Sequence, residues 1–228
     1  MFLLIYHRKE RFIKLYTILT LIVFSLTIFI SVILCFGKER ILMTIIIRNA
    51  EIKDASAIAP LIYDAIGDIA NNLTGQNVPQ KILASLEQLV TETTNRHSYL
   101  NTYVAEKNDE ILGIVVLYDG LLGDKLDRQL EEQLAKKGIH ITLDAEAHMD
   151  EYYIDTICVS KDARGLGIGT RLLQFAEQKG KQLGYSKISL NVELEKIDAR
   201  RLYERMGYST TESWTIINEP FHHMVKSL

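Results

Sequence analysis

Apolar positions along this chain recur with two different periods. Short apolar or alternating runs bounded by turn residues mark strands at Tyr99 to Glu106, Ile111 to Tyr118, Tyr152 to Val159, Ser186 to Val192, Tyr208 to Ile217 and Phe221 to Leu228. Met43 to Ala50 reads as an earlier, opening strand, and Asn108-Asp109 as the turn of a hairpin. Helical spacing appears at Ile58, Leu61, Ile62, Ala65, Ile66 and Ile69, behind Asp54 as a candidate cap. Pro60 is expected to kink that helix or delay its start. Asn71 to Asn77 reads as a polar turn, and Pro79 opens a second helix with Ile82, Leu86, Leu89 and Val90 on one face. Leu126, Leu130 and Leu134 place a helix over Asp124 to Lys137, stopped by Gly138. Asp144 to Glu151 is acidic and expected to be exposed. Two more helices follow: an amphipathic one from Thr170 to Leu183, and one capped by Asp198 and ended by Gly207. In the latter, Ala199, Leu202, Tyr203 and Met206 share one face, so Tyr203 points inward or along the sheet edge. Pro220 is expected in the connection between the last two strands.

A different pattern occupies the start. Leu15 to Phe36 is 22 residues without a charge, long enough to span about 30 Å of hydrocarbon as a helix. Basic residues flank it equally on both sides, so orientation is not fixed by charge. No small-x-small cleavage site follows it, which argues against a cleaved signal. Two readings stand: residues 1–42 are a membrane anchor with the remainder facing the cytoplasm, or Met43 is the natural start. Lys38-Glu39-Arg40 can be encoded by codons containing a bacterial ribosome-binding sequence, which favours the second. Residues 43–228 are of a size for one domain.

Charge narrows the partners. The first 42 residues hold six of the 26 basic and two of the 29 acidic side chains, leaving 20 against 27 and a net charge of −7. That balance argues against nucleic acid and favours cationic substrates. The two cysteines, Cys35 and Cys158, sit in the apolar segment and in an expected strand, so there is no disulfide framework and a cytoplasmic, reducing setting fits.

The candidate chemistry begins at Arg164-Gly165-Leu166-Gly167-Ile168-Gly169-Thr170, between a strand and a helix. Glycines leave the amides unshielded, and a helix start adds free N–H groups and the positive end of its dipole, which together bind phosphate. The spacing G-x-G-x-G fails the dinucleotide fingerprint, and the nucleotide P-loop pattern is absent. A plain glycine turn and an acyl-CoA pyrophosphate loop of the form Arg/Gln-x-x-Gly-x-Gly/Ala remain.

The surrounding motifs bear on that choice. Tyr153 to Val159, the turn Ser160 to Ala163, the Arg164–Gly169 loop and, further on, Ala199-Arg200-Arg201-Leu202-Tyr203-Glu204-Arg205-Met206-Gly207-Tyr208 resemble, in order, the two motifs of the GNAT superfamily of acyl-CoA N-acyltransferases. The resemblance covers Met43 to Leu228, with specific motifs in about the central third. It implies an α/β fold: a mixed, mostly antiparallel sheet with splayed central strands and helices on both faces. It implies direct transfer of the acetyl group of acetyl-CoA to a primary amine, a small molecule such as a polyamine, amino sugar or amino acid. A protein N-terminus or lysine as acceptor, and a non-catalytic acyl-CoA-binding module, are the alternatives. A homodimer is left open.

The resemblance also assigns positions. The amides of Arg164, Gly165, Leu166, Gly167, Ile168, Gly169 and Thr170 would hold the pyrophosphate, and the main chain of Ile157, Cys158 and Val159 the pantetheine arm. Tyr203 would be the general acid beside the sulfur. For the base, Asp155 lies by alternation on the face of Tyr153 and Ile157; Glu151, His148 and Glu193 are rivals, more simply read as solvated surface groups. Lys196 stands where the family often has an asparagine that contacts the cofactor. His140, His148, His222 and His223 lack ligand spacing with a carboxylate or thiol, so no metal is expected. His222 and His223 point to opposite faces of the last strand, for packing and solvent, and Cys158 reads as a small core residue.

Overall fold

The computed structural model describes residues 45–228. The apolar segment at 15–36 and the start at Met43 lie outside them. Among the described residues, no helix is long and apolar enough to cross a membrane.

Seven strands form one sheet in the order β1-β2-β3-β4-β5-β7-β6. The strands are β1 (Ile46–Asn49), β2 (Thr102–Lys107), β3 (Glu110–Asp119), β4 (Tyr152–Val159), β5 (Lys187–Glu193), β6 (Ser209–Ile216) and β7 (Glu219–Ser227). Every pairing is antiparallel except β4 with β5. The hairpin turns are built as their sequences require: Asn108-Asp109 and Ile217-Asn218 all take positive φ, the backbone of a tight two-residue turn. Pro220 is not in the last connection; it sits near the start of β7, opposite Thr215 of the edge strand.

Six α-helices lie among the described residues: α1 (Ala55–Ile66), α2 (Ile69–Thr74), α3 (Pro79–Thr91), α4 (Gly123–Lys136), α5 (Ile168–Gln182) and α6 (Ile197–Arg205). Both sheet faces are covered. Ile58, Ile62, Leu73, Leu86 and Leu130 from α1 to α4 pack with Val104, Ile114 and Cys158 of the strands. Ile168, Leu172 and Ala176 of α5 and Tyr203 of α6 pack on the opposite face with Val115, Leu117, Ile154 and Leu190. This is the α/β, mostly antiparallel architecture the motifs imply.

Local expectations fail in instructive places. Asn71–Asn77 is not a turn throughout, because α2 continues through Thr74 before Gly75 enters the left-handed region. Pro60 does not delay α1, which already runs from Ala55. Asp54 does not cap α1 with its side chain; it pairs with Arg48 at 2.6 Å and accepts the Glu51 N–H. Likewise Asp198 is not the cap of α6, which starts one residue earlier, at Ile197.

The long connection before β4 is the largest departure. Residues 144–151 are not uniformly exposed, since Glu151 is only 1% exposed. Its carboxylate accepts from Ser189 Oγ at 2.7 Å and from the His148 N–H at 3.1 Å, and faces His223 Nε2 at 3.2 Å. The connection also passes so close to Gly120 that any Cβ there would lie 2.1 Å from the His148 carbonyl. Glu151 therefore pins the segment to β5 and β7. Burial alone would raise its pKa, but the hydrogen bonds from His223, Ser189 and the His148 amide outweigh burial and pull it down from 4.5 to about 2. A depressed carboxylate stabilises the fold above its unfolded pKa, and that stability is lost as pH falls through the folded value. Chemical denaturation across the acid range should therefore show stability falling between about pH 4.5 and 2. Glu151→Gln should be less stable at neutral pH and lose less over that window; a variant that tracks the parent throughout would contradict the role.

Candidate active site

The site is made by two strands that separate. β4 and β5 pair only through Tyr152, Tyr153 and Ile154 with Ile188, Ser189 and Leu190. Beyond that, β4 stays with β3 as far as Val159 while β5 stays with β7 as far as Glu193. A cleft of about 1010 Å³ opens between the diverging ends. One edge of β4 is thereby left with unpaired backbone groups. Ser160 N–H bonds to Leu112 on the β3 side, so by alternation the groups of Ile157 and Val159 face the cleft.

A bulge sets the side chains here. Leu117 and Val116 of β3 pair with Ile154 and Thr156, leaving Asp155 as the extra residue. The inserted residue breaks strict alternation. Asp155 keeps company with the Tyr153 side of the sheet, whereas Ile157 packs with the opposite core. The expectation that Asp155 and Ile157 share a face is corrected by the bulge.

At the closed end of the cleft, polar groups are packed out of water. Asn95, Arg96, His97 and Ser98 follow α3 and are all buried. Arg96 Nη1 donates to Glu146 Oε1 at 2.7 Å and lies 3.5 Å from Asp155 Oδ2, while its Nε lies 3.6 Å from Asp127. One guanidinium thus faces three carboxylates, and they respond differently. Burial, Glu146 and Asp155 push Asp127 up to about 6, against the pull of Arg96. Burial and the neighbouring Asp155 also push Glu146 up. Burial would raise Asp155 too, but His97, Arg96 and a 2.8 Å hydrogen bond from Thr156 hold it well below the usual carboxylate range.

His97 is the unsatisfied member. It is 2% exposed, lines the cleft, and neither ring nitrogen has a hydrogen-bond partner, although Nε2 lies 3.2 Å from Asp155 Oδ1. Buried polar atoms without partners cost roughly 1–3 kcal/mol each, and those that persist call for an explanation. A chain of contacts leads onward from this cluster: Tyr153 OH donates to Glu146 Oε2 at 3.0 Å, and Asn191 Nδ2 donates to Tyr153 OH at 3.1 Å.

The open end is built by the glycine loop. Gly165 and Gly167 have φ of 78° and 75°, which L side chains rarely adopt, and a Cβ at either would meet nothing within 4 Å. Space beside a bare backbone lets a ligand approach the amides. α5 starts at Ile168, so its first N–H groups have no intrahelical acceptor. Arg164 Nε donates to the Val159 carbonyl at 3.4 Å, joining loop and strand.

The sequence-derived candidates divide as follows. Asp155, Ile157, Cys158, Val159, Arg164, Gly165, Gly169 and Tyr203 line the cleft. Leu166 is exposed and Ile168 is buried in the core beneath α5, so any contact they make is through backbone; Gly167 caps α5 and Thr170 follows in its first turn. Tyr203 is buried, which, with the Cys158 thiol adding to it, pushes its phenol up to about 12. Of the rival bases, Glu193 lines the cleft but is held by Lys196 at 2.7 Å; His148 is paired with Glu212 and Glu151 is in the anchor described above. Lys196 also donates to the Ala65 carbonyl at 2.8 Å, bridging from the β5 side to the end of α1. Sequence reasoning missed Arg96, His97 and Glu146; the one signal was a polar Asn-Arg-His-Ser run abutting an apolar strand. It also missed that His148, Glu151 and His223 come together, with donor atoms within 4.8 Å of one another.

Comparison with known proteins agrees with this geometry. The Acetyltransferase (GNAT) family profile matches residues 76–208. The chain is 30% identical over 164 residues to YhfO, an uncharacterized N-acetyltransferase of Bacillus subtilis (strain 168), covering 71% of this chain and 88% of that one. A crystal structure of an acetyltransferase superposes with a TM-score of 0.68 at 29% identity, over 80% of this chain and 98% of that one. An N-acetyltransferase from Staphylococcus aureus Mu50 gives 0.68 at 25% identity, over 79% and 99%. The splayed β4–β5 pair, the glycine loop heading α5 and these matches lead to one assignment: the chain belongs to the GNAT acetyltransferase family and is an N-acetyltransferase.

Proposed function

We propose that this protein transfers the acetyl group of acetyl-CoA directly to the primary amine of a small, cationic molecule. The observation that carries the reading is the cleft itself, with bare amides at one end and a buried excess of carboxylates at the other. The pyrophosphate of the donor is held by the backbone N–H groups of Gly165 to Thr170, at the positive end of the α5 dipole, the Arg164 N–H being bonded to the Lys161 carbonyl. The pantetheine arm lies along β4 and pairs with the cleft-facing groups of Ile157 and the Val159 N–H as an added strand would. A relative whose structure is described as a complex with coenzyme A shares the fold at 17% identity and a TM-score of 0.52, which is compatible with that placement.

Tyr203 stands beside the thioester sulfur in this reading. A phenol at about 12 does not surrender its proton readily to a thiolate, whose ordinary pKa is about 8.5. Its role is then to stabilise the departing sulfur by a hydrogen bond as charge develops there. The amine must lose a proton before it attacks, and Asp155, held below the usual carboxylate range, is too weak a base to take it alone. His97, 3.2 Å away and otherwise unpartnered, takes that proton, with Asp155 orienting the ring and balancing its charge. Glu146, Asp155 and their neighbours favour an acceptor that arrives as a cation. A protein N-terminus is the second acceptor class; the enclosed acidic end of the cleft favours the small molecule.

Thiol release from acetyl-CoA across a panel of polyamines, amino sugars, amino acids and N-terminal peptides tests the assignment. Turnover is expected with a small diamine or polyamine and not with peptides; release with none of them would contradict it. Tyr203→Phe should lower kcat at least tenfold while leaving donor affinity nearly unchanged, as expected for a group that acts on developing charge. His97→Gln and Asp155→Asn should each lower kcat by about tenfold or more while leaving donor affinity nearly unchanged; unchanged turnover in both variants would reassign the base.

A further inference from the structure

Outside the cleft, among the described residues, one cluster of ligand-type side chains is left over by acyl transfer. His148, Glu151 and His223 each present one donor atom, all within 4.8 Å of one another. Glu212 adjoins this group through His148 alone, its Oε1 2.8 Å from His148 Nε2. The four come from the segment before β4, from β6 and from β7, so no sequence spacing announces them.

Proton positions make this cluster unusual. The Asn191 amide is fixed in orientation because its Nδ2 donates both to the Glu146 carbonyl at 2.9 Å and to Tyr153 OH at 3.1 Å. Its Oδ1 therefore faces His223 Nδ1, at 2.7 Å, and can only accept, so Nδ1 carries a hydrogen. Were the ring neutral, a bare Nε2 lone pair would face the Glu151 carboxylate, 3.2 Å from Oε2, acceptor to acceptor, so the hydrogen bond from His223 that depresses Glu151 requires a second proton on the ring. Two arrangements relieve that opposition: a second proton on His223, or a cation between the groups. The fully buried ring and the fully buried carboxylate cannot turn away from each other into water.

We propose that His223 Nε2, His148 Nε2, Glu151 and Glu212 form a binding site for a divalent cation of the zinc class. Two imidazoles and two carboxylates are a suitable donor set for zinc at four-coordination. Supporting contacts of the kind that orient metal ligands are already in place. Asn191 holds the other nitrogen of His223, and Ser189 Oγ with the His148 N–H holds Glu151. Trp214 stacks on His223 at 4.6 Å and meets the edge of His148 at 5.1 Å, shielding one side. His148 and Glu212 are exposed and leave a path for the ion. Drawing the donors in to zinc bond lengths of about 2.1 Å requires inward movement, which the exposed His148 and Glu212 can supply. Lys187 lies 3.6 Å from Glu151 Oε1 and competes weakly, being closer to Asp150 at 3.0 Å. A cation here would fasten the segment that carries Glu146 to the β6–β7 hairpin. The proposal is independent of the acceptor and of the acyl-transfer mechanism.

The test uses the whole chain, stripped of metal and titrated with Co²⁺ and then Zn²⁺. The expected result is one equivalent of cobalt giving visible d–d absorption of a four-coordinate site, with quenching of Trp214, the chain's single tryptophan. Zinc should abolish that absorption and raise the thermal midpoint, and affinity should climb with pH because binding displaces a proton. His148→Ala, a change on an exposed ring, should lose all of these signals while remaining folded. Absence of the absorption and of any midpoint shift would overturn the proposal, as would signals that survive in both His148→Ala and Glu212→Gln. ¹⁵N NMR showing both nitrogens of His223 still protonated at saturating zinc would likewise overturn it, leaving a plain imidazolium–carboxylate pair.

Discussion

The parting of β4 from β5 is the constraint on which the rest depends. A sheet normally satisfies its backbone groups from strand to strand, and a gap in its centre leaves them bare. Here the gap is sustained from both sides. The Asp155 bulge alters β4 just where its pairing with β5 ends, and β5 is held to β7 through its full length. The glycine loop then begins within a few residues of the freed end of β4, so strand edge and helix N-terminus open onto one cleft. In the proposed reading, coenzyme A supplies the strand that the sheet lacks.

The closed end of the cleft follows a second physical logic. Placing Asp127, Glu146 and Asp155 around Arg96 in a buried setting is costly, because desolvation is offset fully only when charges balance and hydrogen bonds are complete. They do not balance: three carboxylates face one guanidinium, and His97 is unsatisfied. The outcome is a set of neighbouring groups whose pKa values are driven apart, Asp127 and Glu146 upward and Asp155 downward. Such divergence is characteristic of sites where protons are exchanged or cations received. A purely structural core would be better served by apolar side chains of the same volume.

Much of the fold was legible because it is written locally. Tyr152 to Val159 reads as a strand and is one to the residue, since β-branched and aromatic positions alternate between clear turn signals. Leu126, Leu130 and Leu134 located α4 within a residue of each end. The glycine loop could be read because positive φ selects glycine. What could not be read depends on contacts between distant segments. Glu151 looks like one acid in an acidic run, and only the fold buries it against Ser189 and His223. Arg96 and His97 look like surface residues of a polar turn, and only packing against β4 and residues 127 and 146 makes them a charge cluster. The alternation argument for Asp155 and Ile157 failed because a bulge is a property of the strand pair, not of one strand.

Hydrogen exchange of the backbone amides with and without coenzyme A examines the central claim most directly. The account predicts slowed exchange confined to Ile157, Val159 and the amides from Gly165 to Thr170, with β1, β2 and the β6–β7 hairpin unchanged. Saturating cofactor that leaves those amides exchanging at their free rate, or that protects a different surface, would contradict it.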